Sequence, residues 1–173
     1  FAKTLDSAGA MAKDFTTTLR LYSAMREEPL PKLQAAEYNA LKIAINTANH
    51  KMMSLEQNKF RRHVTRLLKR RGASLRKIEQ MPTPFQGAIM KYEFKAHLEE
   101  YLGTSAASRK TLKEIVEYYE ANPDTMMKYG NTLLKAALEE TPGGLQSEEY
   151  LRAMEERSKM MREVREELAD YDA

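Results

Sequence analysis

The sequence of 173 residues contains no cysteine. This absence excludes disulfide bonds, thiolate nucleophiles and thiolate metal ligands together. The sequence also contains no Asn-x-Ser/Thr acceptor for glycosylation. A small secreted fold that depends on disulfide bonds is therefore excluded.

Long apolar runs are also missing. No window approaches the roughly 18 consecutive apolar residues that a membrane span requires, and no signal peptide opens the chain. We therefore expect a cytoplasmic protein without a membrane span.

The composition is that of a folded protein with many exposed helix faces. Hydrophobic residues make up 42% and charged residues 31% of the chain, which separates it from disordered sequences. Its length suits no more than one domain. The formal net charge of +3, from 28 basic and 25 acidic residues, is too small by itself to indicate nucleic-acid binding.

Two short apolar alternations enclose a basic helix. Leu41–Ile45 and Ser74–Ile78 are predicted strands, and Ser54–Arg71 is a predicted helix that ends before Gly72. This order indicates a βαβ unit with parallel strands. Because parallel strands are normally covered on both faces, two of them need more sheet around them. We therefore expect 1–173 to be a single incomplete domain, a mainly helical portion of a larger α/β fold.

Helical periodicity dominates from Gln86 onwards. The predicted helices are Gln86–Leu102, ended by Gly103; one from Thr111 to a stop at Asn122-Pro123; one from Asp124 to a stop at Pro142-Gly143-Gly144; and a last one that starts at Ser147. The predicted N-caps along the chain are Asp14, Ser54, Thr111, Asp124 and Ser147. The predicted core-facing residues are Ile89, Met90, Phe94, Leu98, Tyr101 and Leu102; Leu112, Ile115, Val116 and Tyr119; Met126, Tyr129, Leu133 and Leu134; and Leu151, Met154, Met161, Val164 and Leu168.

Two short segments have the residue types of a nucleophile beside a base. Ser74-Leu-Arg-Lys77 has the S-x-x-K spacing of penicillin-recognising enzymes, but the accompanying motifs are absent and the segment is a predicted strand. Thr104–Lys110 places hydroxyl groups beside a lysine, and we interpret it as the loop and cap before the next helix. Neither segment is predicted to be catalytic.

The three histidines do not form a metal motif. His50, His63 and His97 have neither the i, i+4 spacing nor the carboxylate motif of zinc sites around them. No metal site and no cofactor are predicted.

A basic run extends over residues 59–77 without an acidic residue. Its cations are Lys59, Arg61, Arg62, Arg66, Lys69, Arg70, Arg71, Arg76 and Lys77. We interpret the run as the solvated outer face of the crossover helix. Binding of nucleic acid or of an acidic partner is the alternative, although Phe60 alone does not provide a stacking platform.

Five segments, in order, resemble the amidase signature family of carboxamide hydrolases. They are Ser7–Asp14, Ile89–Leu102, Lys110–Tyr118, Lys128–Leu134 and Gly144–Leu151. Ala10 and Lys13 depart from the Pro and Arg that are usual in the family's first segment. The resemblance covers nearly the whole chain and is weakest over 29–39.

The resemblance implies an α/β/α hydrolase with a serine nucleophile, a second serine in a cis peptide and a lysine. A glycine- and serine-rich loop would supply oxyanion donors, because the tetrahedral intermediate needs preorganised hydrogen bonds. All of these are expected upstream of Phe1, so no catalytic residue is predicted in this chain, which alone should be inactive. The implied partners are a small amide substrate and the rest of the amidase domain, including a strand after Ala173.

Two alternatives belong to other functional classes. One is a non-catalytic helical binding module that uses the basic segment 59–77. The other is a scaffold that keeps an amidase-like fold without activity.

Overall fold

The computed structural model describes residues 2–32, 37–47, 52–79 and 82–173. Their contacts form two compact units. The sheet unit comprises 9–82 and 160–173, and the helical unit comprises 2–8 and 83–159. The expectation of a single incomplete domain over 1–173 stays a prediction.

The sheet unit contains two helices and two strands up to Ile78. They are α1 (Phe15–Met25), β1 (Lys42–Asn46), α2 (Leu55–Arg70) and β2 (Ser74–Ile78), with a short 3-10 helix over Tyr38–Ala40. The strands are parallel, with Lys42 opposite Ser74 and Asn46 opposite Ile78. The predicted βαβ order and the bounds of β2 are confirmed.

β1 begins one residue later than predicted. The backbone N–H of Leu41 donates to Tyr38 O and closes the 3-10 turn, so regular strand structure starts at Lys42. The carbonyl of Leu41 still accepts a hydrogen bond of 2.9 Å from the Ser74 N–H.

The edge of β1 that faces away from β2 is occupied by the last two residues of the chain. The Asp172 N–H donates to Lys42 O at 2.8 Å, and the Ala44 N–H donates to Ala173 O at 2.7 Å. The Asp172 carboxylate accepts from the Lys42 N–H at 2.8 Å. β1 is therefore paired on both sides, as a parallel strand in a sheet interior requires.

Five further helices follow. They are α3 (Gln86–Thr104), α4 (Leu112–Ala121), α5 (Pro123–Met126), α6 (Thr132–Glu139) and α7 (Glu148–Leu168), with a 3-10 turn over Gly144–Gln146. Residues 148–159 of α7 belong to the helical unit and residues 160–168 to the sheet unit. No helix among the described residues combines the length and apolar content that a membrane crossing requires.

The helical unit has a small apolar core. Leu112, Val116 and Ala137 are buried at its centre, and Phe94, Leu98, Leu134 and Leu138 pack around them. Leu112 is fully buried, so truncating it would remove packing on several sides.

Four of the five predicted N-caps are confirmed. Asp14 accepts from the Thr17 N–H, Ser54 and Gln57 form a capping box, and Thr111 and Glu114 form another. Ser147 Oγ accepts from the Tyr150 N–H at 3.2 Å. Each cap depends on residues within one helical turn, which is why the sequence reveals it.

Two predicted helix boundaries are wrong. Gly103 lies inside α3, which continues to Thr104. Asp124 does not open a single long helix: it lies in the first turn of α5, and a separate α6 begins after Asn131. Gly130 between them has a φ of 72°, a left-handed conformation that interrupts a helix.

The buried faces of three helices differ from the predicted stripes. Tyr92 and Glu93 are buried in α3 and Tyr150 and Ala153 in α7, although none of the four was predicted to face the core. Six residues that were predicted to face the core are exposed: Met90, Tyr101, Tyr129, Leu133, Leu151 and Leu168. Periodicity identifies a helix, but the neighbouring elements decide which side of it is covered.

Candidate functional site

The strongest candidate site in the helical unit surrounds the carboxylate of Glu93. This residue lies in the first half of α3 beside Ile89 and Tyr92 and is 1% exposed. Burial of an ionised carboxylate is costly unless donors replace the lost water. The donors around Glu93 therefore decide whether the site is stable.

Two residues from distant parts of the chain supply these donors. The Thr4 N–H donates to Glu93 Oε2 at 2.9 Å, and the Thr4 hydroxyl donates to Oε1. The Tyr150 hydroxyl, from the first turn of α7, also donates to Oε1 at 2.8 Å. His97 Nδ1 lies 3.9 Å from Oε2, one helical turn along α3.

The electrostatics agree with an ionised Glu93. Burial raises the pKa of Glu93, but the hydrogen bonds from Thr4 and Tyr150 and the field of His97 outweigh burial and hold the pKa below its usual value. Burial, and then the bond to Glu93, raise the pKa of the Tyr150 phenol, so Tyr150 stays a neutral donor. The pair is therefore a carboxylate and a phenol at neutral pH.

Further contacts hold the segment 2–6 in the same place. Arg157 of α7 donates to Thr4 O at 3.0 Å, and the Lys3 N–H donates to His97 Nδ1 at 3.3 Å. The segment itself is a turn in which the Asp6 N–H donates to Ala2 O. This segment is thus tied by its backbone to α3 and α7.

A second tyrosine strengthens the link between α3 and α7. The Tyr92 hydroxyl donates to Glu149 at 2.9 Å, and the rings of Tyr92 and Tyr150 lie 5.9 Å apart with a tilt of 46°. Such tilted aromatic pairs are favourable beyond the area that they bury. Both carboxylate oxygens of Glu93 accept hydrogen bonds from protein donors. The site therefore holds segments of the chain together and leaves no carboxylate oxygen open for a ligand.

Sequence analysis missed Glu93. An acidic residue on a helix is normally exposed, and the donors that bury this one come from residues 89 and 57 positions away. One signal was available: Tyr92 and Glu93 follow Ile89 by three and four residues, the spacing that places them on the same side of a helix as Ile89.

The Ser74–Lys77 motif has no catalytic geometry. Both residues lie in β2, where side chains three positions apart point to opposite faces. The Ser74 and Lys77 side chains are also exposed. Ser74–Lys77 is therefore part of an ordinary strand.

The hydroxyl and lysine cluster at 104–110 closes the end of α3. Lys110 Nζ donates to Leu102 O at 2.8 Å and to Ser105 O at 2.6 Å. The hydroxyl of Ser105 donates to Leu102 O, and that of Thr104 donates to Tyr101 O. The lysine and these hydroxyls satisfy helix-terminal carbonyls, as a capping loop does.

The histidines are separate from one another where they are described. His63 is exposed on α2, His97 belongs to the Glu93 site, and His50 lies outside the described residues. No group of three His, Asp or Glu side chains able to hold a metal ion occurs within 2–32, 37–47, 52–79 and 82–173.

The cations of the basic run are distributed over α2 and β2. Lys59, Arg62, Arg66, Lys69 and Arg70 are exposed on α2, whereas Arg61 is partly buried. Arg76 and Lys77 are exposed on β2, and Arg71 lies over the Tyr38 ring at 5.6 Å. The predicted exposed basic face of the crossover helix is therefore present.

Solved structures of amidases resemble the fold of this chain. An amidase family protein from Bacillus anthracis str. Ames superposes with a TM-score of 0.62 and 20% identity, over 78% of this chain and 27% of that one. The native peptide amidase from Stenotrophomonas maltophilia superposes with a TM-score of 0.56 and 23% identity, over 69% of this chain and 25% of that one. The chain has the fold of part of an amidase.

The likeness is one of fold, because the identities are low. No family model and no curated protein sequence matches the chain significantly. The chain spans about a quarter of the length of each of these two amidases. The predicted fold class, a mainly helical portion of an α/β amidase fold with two short parallel strands, is confirmed.

Proposed function

We propose that residues 1–173 are the carboxyl-side portion of an amidase signature hydrolase. The hydrolase cleaves a carboxamide C–N bond with a serine nucleophile. The observation that carries this proposal is the superposition on amidase structures over 69–78% of the chain. The ordered motif segments from Ser7–Asp14 to Gly144–Leu151 support the same family.

In this proposal the catalytic serines and lysine lie upstream of Phe1. In support, the two segments considered above lack catalytic geometry: Ser74 and Lys77 lie on opposite faces of β2, and Lys110 binds carbonyls at the end of α3. The chain contributes helices and two parallel strands to the intact α/β fold, and its partners are the rest of the amidase domain and a small amide substrate. The cytoplasmic location stays a prediction.

The Glu93 site has a place in this proposal. It fixes residues 2–6, which directly precede the family-like segment Ser7–Asp14. A catalytic segment upstream of Phe1 would be connected to α3 and α7 through this anchored turn. Glu93 would then act by positioning the chain and would not touch substrate.

Amide hydrolysis tests the proposal. A longer polypeptide that includes the upstream region should release ammonia or amine from simple carboxamides, because it would contain the nucleophile and the oxyanion donors. The chain 1–173 alone should release none. The longer polypeptide with its upstream serine replaced by alanine is the matched control.

Two results would contradict the proposal. Turnover by 1–173 alone would place the nucleophile inside this chain. A folded longer polypeptide that hydrolyses no carboxamide would favour the scaffold alternative.

A further inference from the structure

The outer face of α2 is exposed along its whole length. No residue of this 16-residue helix is buried, and the side chains that are partly buried, such as Val64 and Leu68, share the face that is turned towards the rest of the sheet unit. The opposite face carries six exposed residues at spacings of three and four, which we call the α2 strip. The α2 strip consists of Lys59, Phe60, His63, Arg66, Leu67 and Arg70.

The cations of the α2 strip have no acidic partners. Arg62 and Lys69 flank the strip and add to its charge, and the only acidic residue on α2 is Glu56 in its first turn. Across the described part of the chain, no carboxylate lies within ion-pair distance of any of these lysines or arginines. Among the other described lysines, four do have a carboxylate partner, as Lys91 has in Glu140 at 2.6 Å.

Apolar side chains lie in the same face as these cations. Phe60 is 71% exposed and Leu67 is 46% exposed. A shallow groove on the surface is lined by His63, Arg66, Leu67 and Arg70, so an apolar side chain forms part of a basic depression. An exposed phenylalanine and leucine beside arginines that lack carboxylate partners fit an occupant with both anionic and apolar parts.

We propose that the α2 strip docks on an anionic lipid bilayer surface. The phosphate and carboxylate headgroups meet the cations, and the boundary with the acyl chains takes up Phe60 and Leu67. A nucleic acid satisfies the charges alone, because a single aromatic residue does not form a stacking platform and Leu67 would stay in water. The combination of charge and apolar area therefore favours the lipid surface.

Vesicle co-sedimentation tests this docking. The chain should sediment with vesicles of phosphatidylcholine and phosphatidylserine and not with vesicles of phosphatidylcholine alone. Since each cation near an anionic leaflet changes affinity about fivefold, Arg66→Gln with Arg70→Gln should weaken binding by about 25-fold. The matched control is Arg162→Gln with Arg165→Gln, which removes two exposed arginines from α7 and should leave binding unchanged.

The apolar contribution is tested separately. Phe60→Ser should weaken binding to the anionic vesicles by about tenfold, because the ring loses its burial in the lipid interface. Phe15→Ser is the matched control, since Phe15 of α1 is 66% exposed and lies outside the α2 strip. These changes are on exposed side chains, so circular dichroism should show unchanged helix content.

Several outcomes would overturn the proposal. Equal sedimentation with neutral and anionic vesicles would contradict it. An equal loss of binding in the Arg66/Arg70 variant and in the Arg162/Arg165 control would show that the α2 strip is not the docking surface. An anionic-vesicle affinity unaffected by Phe60→Ser would also overturn it, since charge alone would then explain binding. Binding to a short DNA duplex, lost in the Arg66 and Arg70 variant, without binding to vesicles would assign the surface to nucleic acid.

Discussion

The hydroxyl of Tyr150 donates a hydrogen bond of 2.8 Å to the carboxylate of Glu93 in a part of the helical unit where both side chains are buried. The bond joins α3 to the first turn of α7 across 57 positions of sequence. Because the carboxylate is ionised and excluded from water, removing this hydrogen bond should cost more stability than removing an exposed one.

Removing the Tyr150 hydroxyl should destabilise the protein. We expect Tyr150→Phe to lower the free energy of unfolding by about 1.5–3 kcal/mol, the range for hydrogen bonds to charged groups. Urea denaturation followed by circular dichroism measures this change. Tyr129→Phe is the control, because Tyr129 is 89% exposed and its substitution should change stability by less than about 0.5 kcal/mol. Equal effects of the two substitutions would mean that the buried bond contributes nothing.

Stability should depend on the ionisation of Glu93 in acid. The pKa of Glu93 is lowered in the folded state from 4.5, so the unfolded chain takes up a proton first as the pH falls. Stability is therefore present above about pH 4.5 and is lost as the pH falls through the lower, folded pKa. Other carboxylates with lowered pKa values, such as Asp14 and Glu114, add to the same slope.

A comparison of the protein with its Glu93→Gln variant isolates this contribution. At neutral pH the variant should be less stable by about 2–3 kcal/mol, because an amide offers only one acceptor oxygen to Thr4 and Tyr150. The difference should shrink as the pH is lowered, when the native carboxylate also becomes protonated. Urea denaturation at a series of pH values measures it. A difference independent of pH would show that Glu93 is not ionised in the folded protein.

Two glycines should respond in opposite directions to a methyl group. Gly72 follows α2 with a φ of +94°, and a Cβ there would lie 3.1 Å from Asn39 Cβ and 3.2 Å from its Cα. We expect Gly72→Ala to cost about 1–3 kcal/mol. Gly87 lies in α3 with nothing within 4 Å of an added Cβ, so Gly87→Ala should stabilise the protein by about 0.5–1 kcal/mol. Thermal unfolding of both variants measures the two changes in stability. A stabilising effect of Gly72→Ala would contradict the left-handed conformation of Gly72.

Local features were predictable because their causes lie within a few residues. The capping boxes at Ser54 and Thr111 depend on a partner three residues away, and both are present. The strand Ser74–Ile78 and its parallel partner follow from apolar alternation and the βαβ order. The fold class was therefore predictable from patterns within short segments of the sequence.

The errors concern features that depend on distant residues. Tyr129 and Leu133 have the spacing of a buried helical face, but the break at Gly130 separates α5 from α6 and both side chains are exposed. Leu151 is exposed while its neighbour Tyr150 is buried, because the bond to Glu93 selects that face of α7. Periodicity contains no information about these partners.

The sequence by itself determined the helices, most of their caps, the parallel strand pair and the resemblance to amidases. Only the tertiary structure decided that Glu93 is a buried, ionised anchor and that α2 presents arginines beside Phe60. The reason is physical: a helix forms through contacts between residues three and four apart, whereas the burial of a charge depends on donors that the folded chain brings from elsewhere.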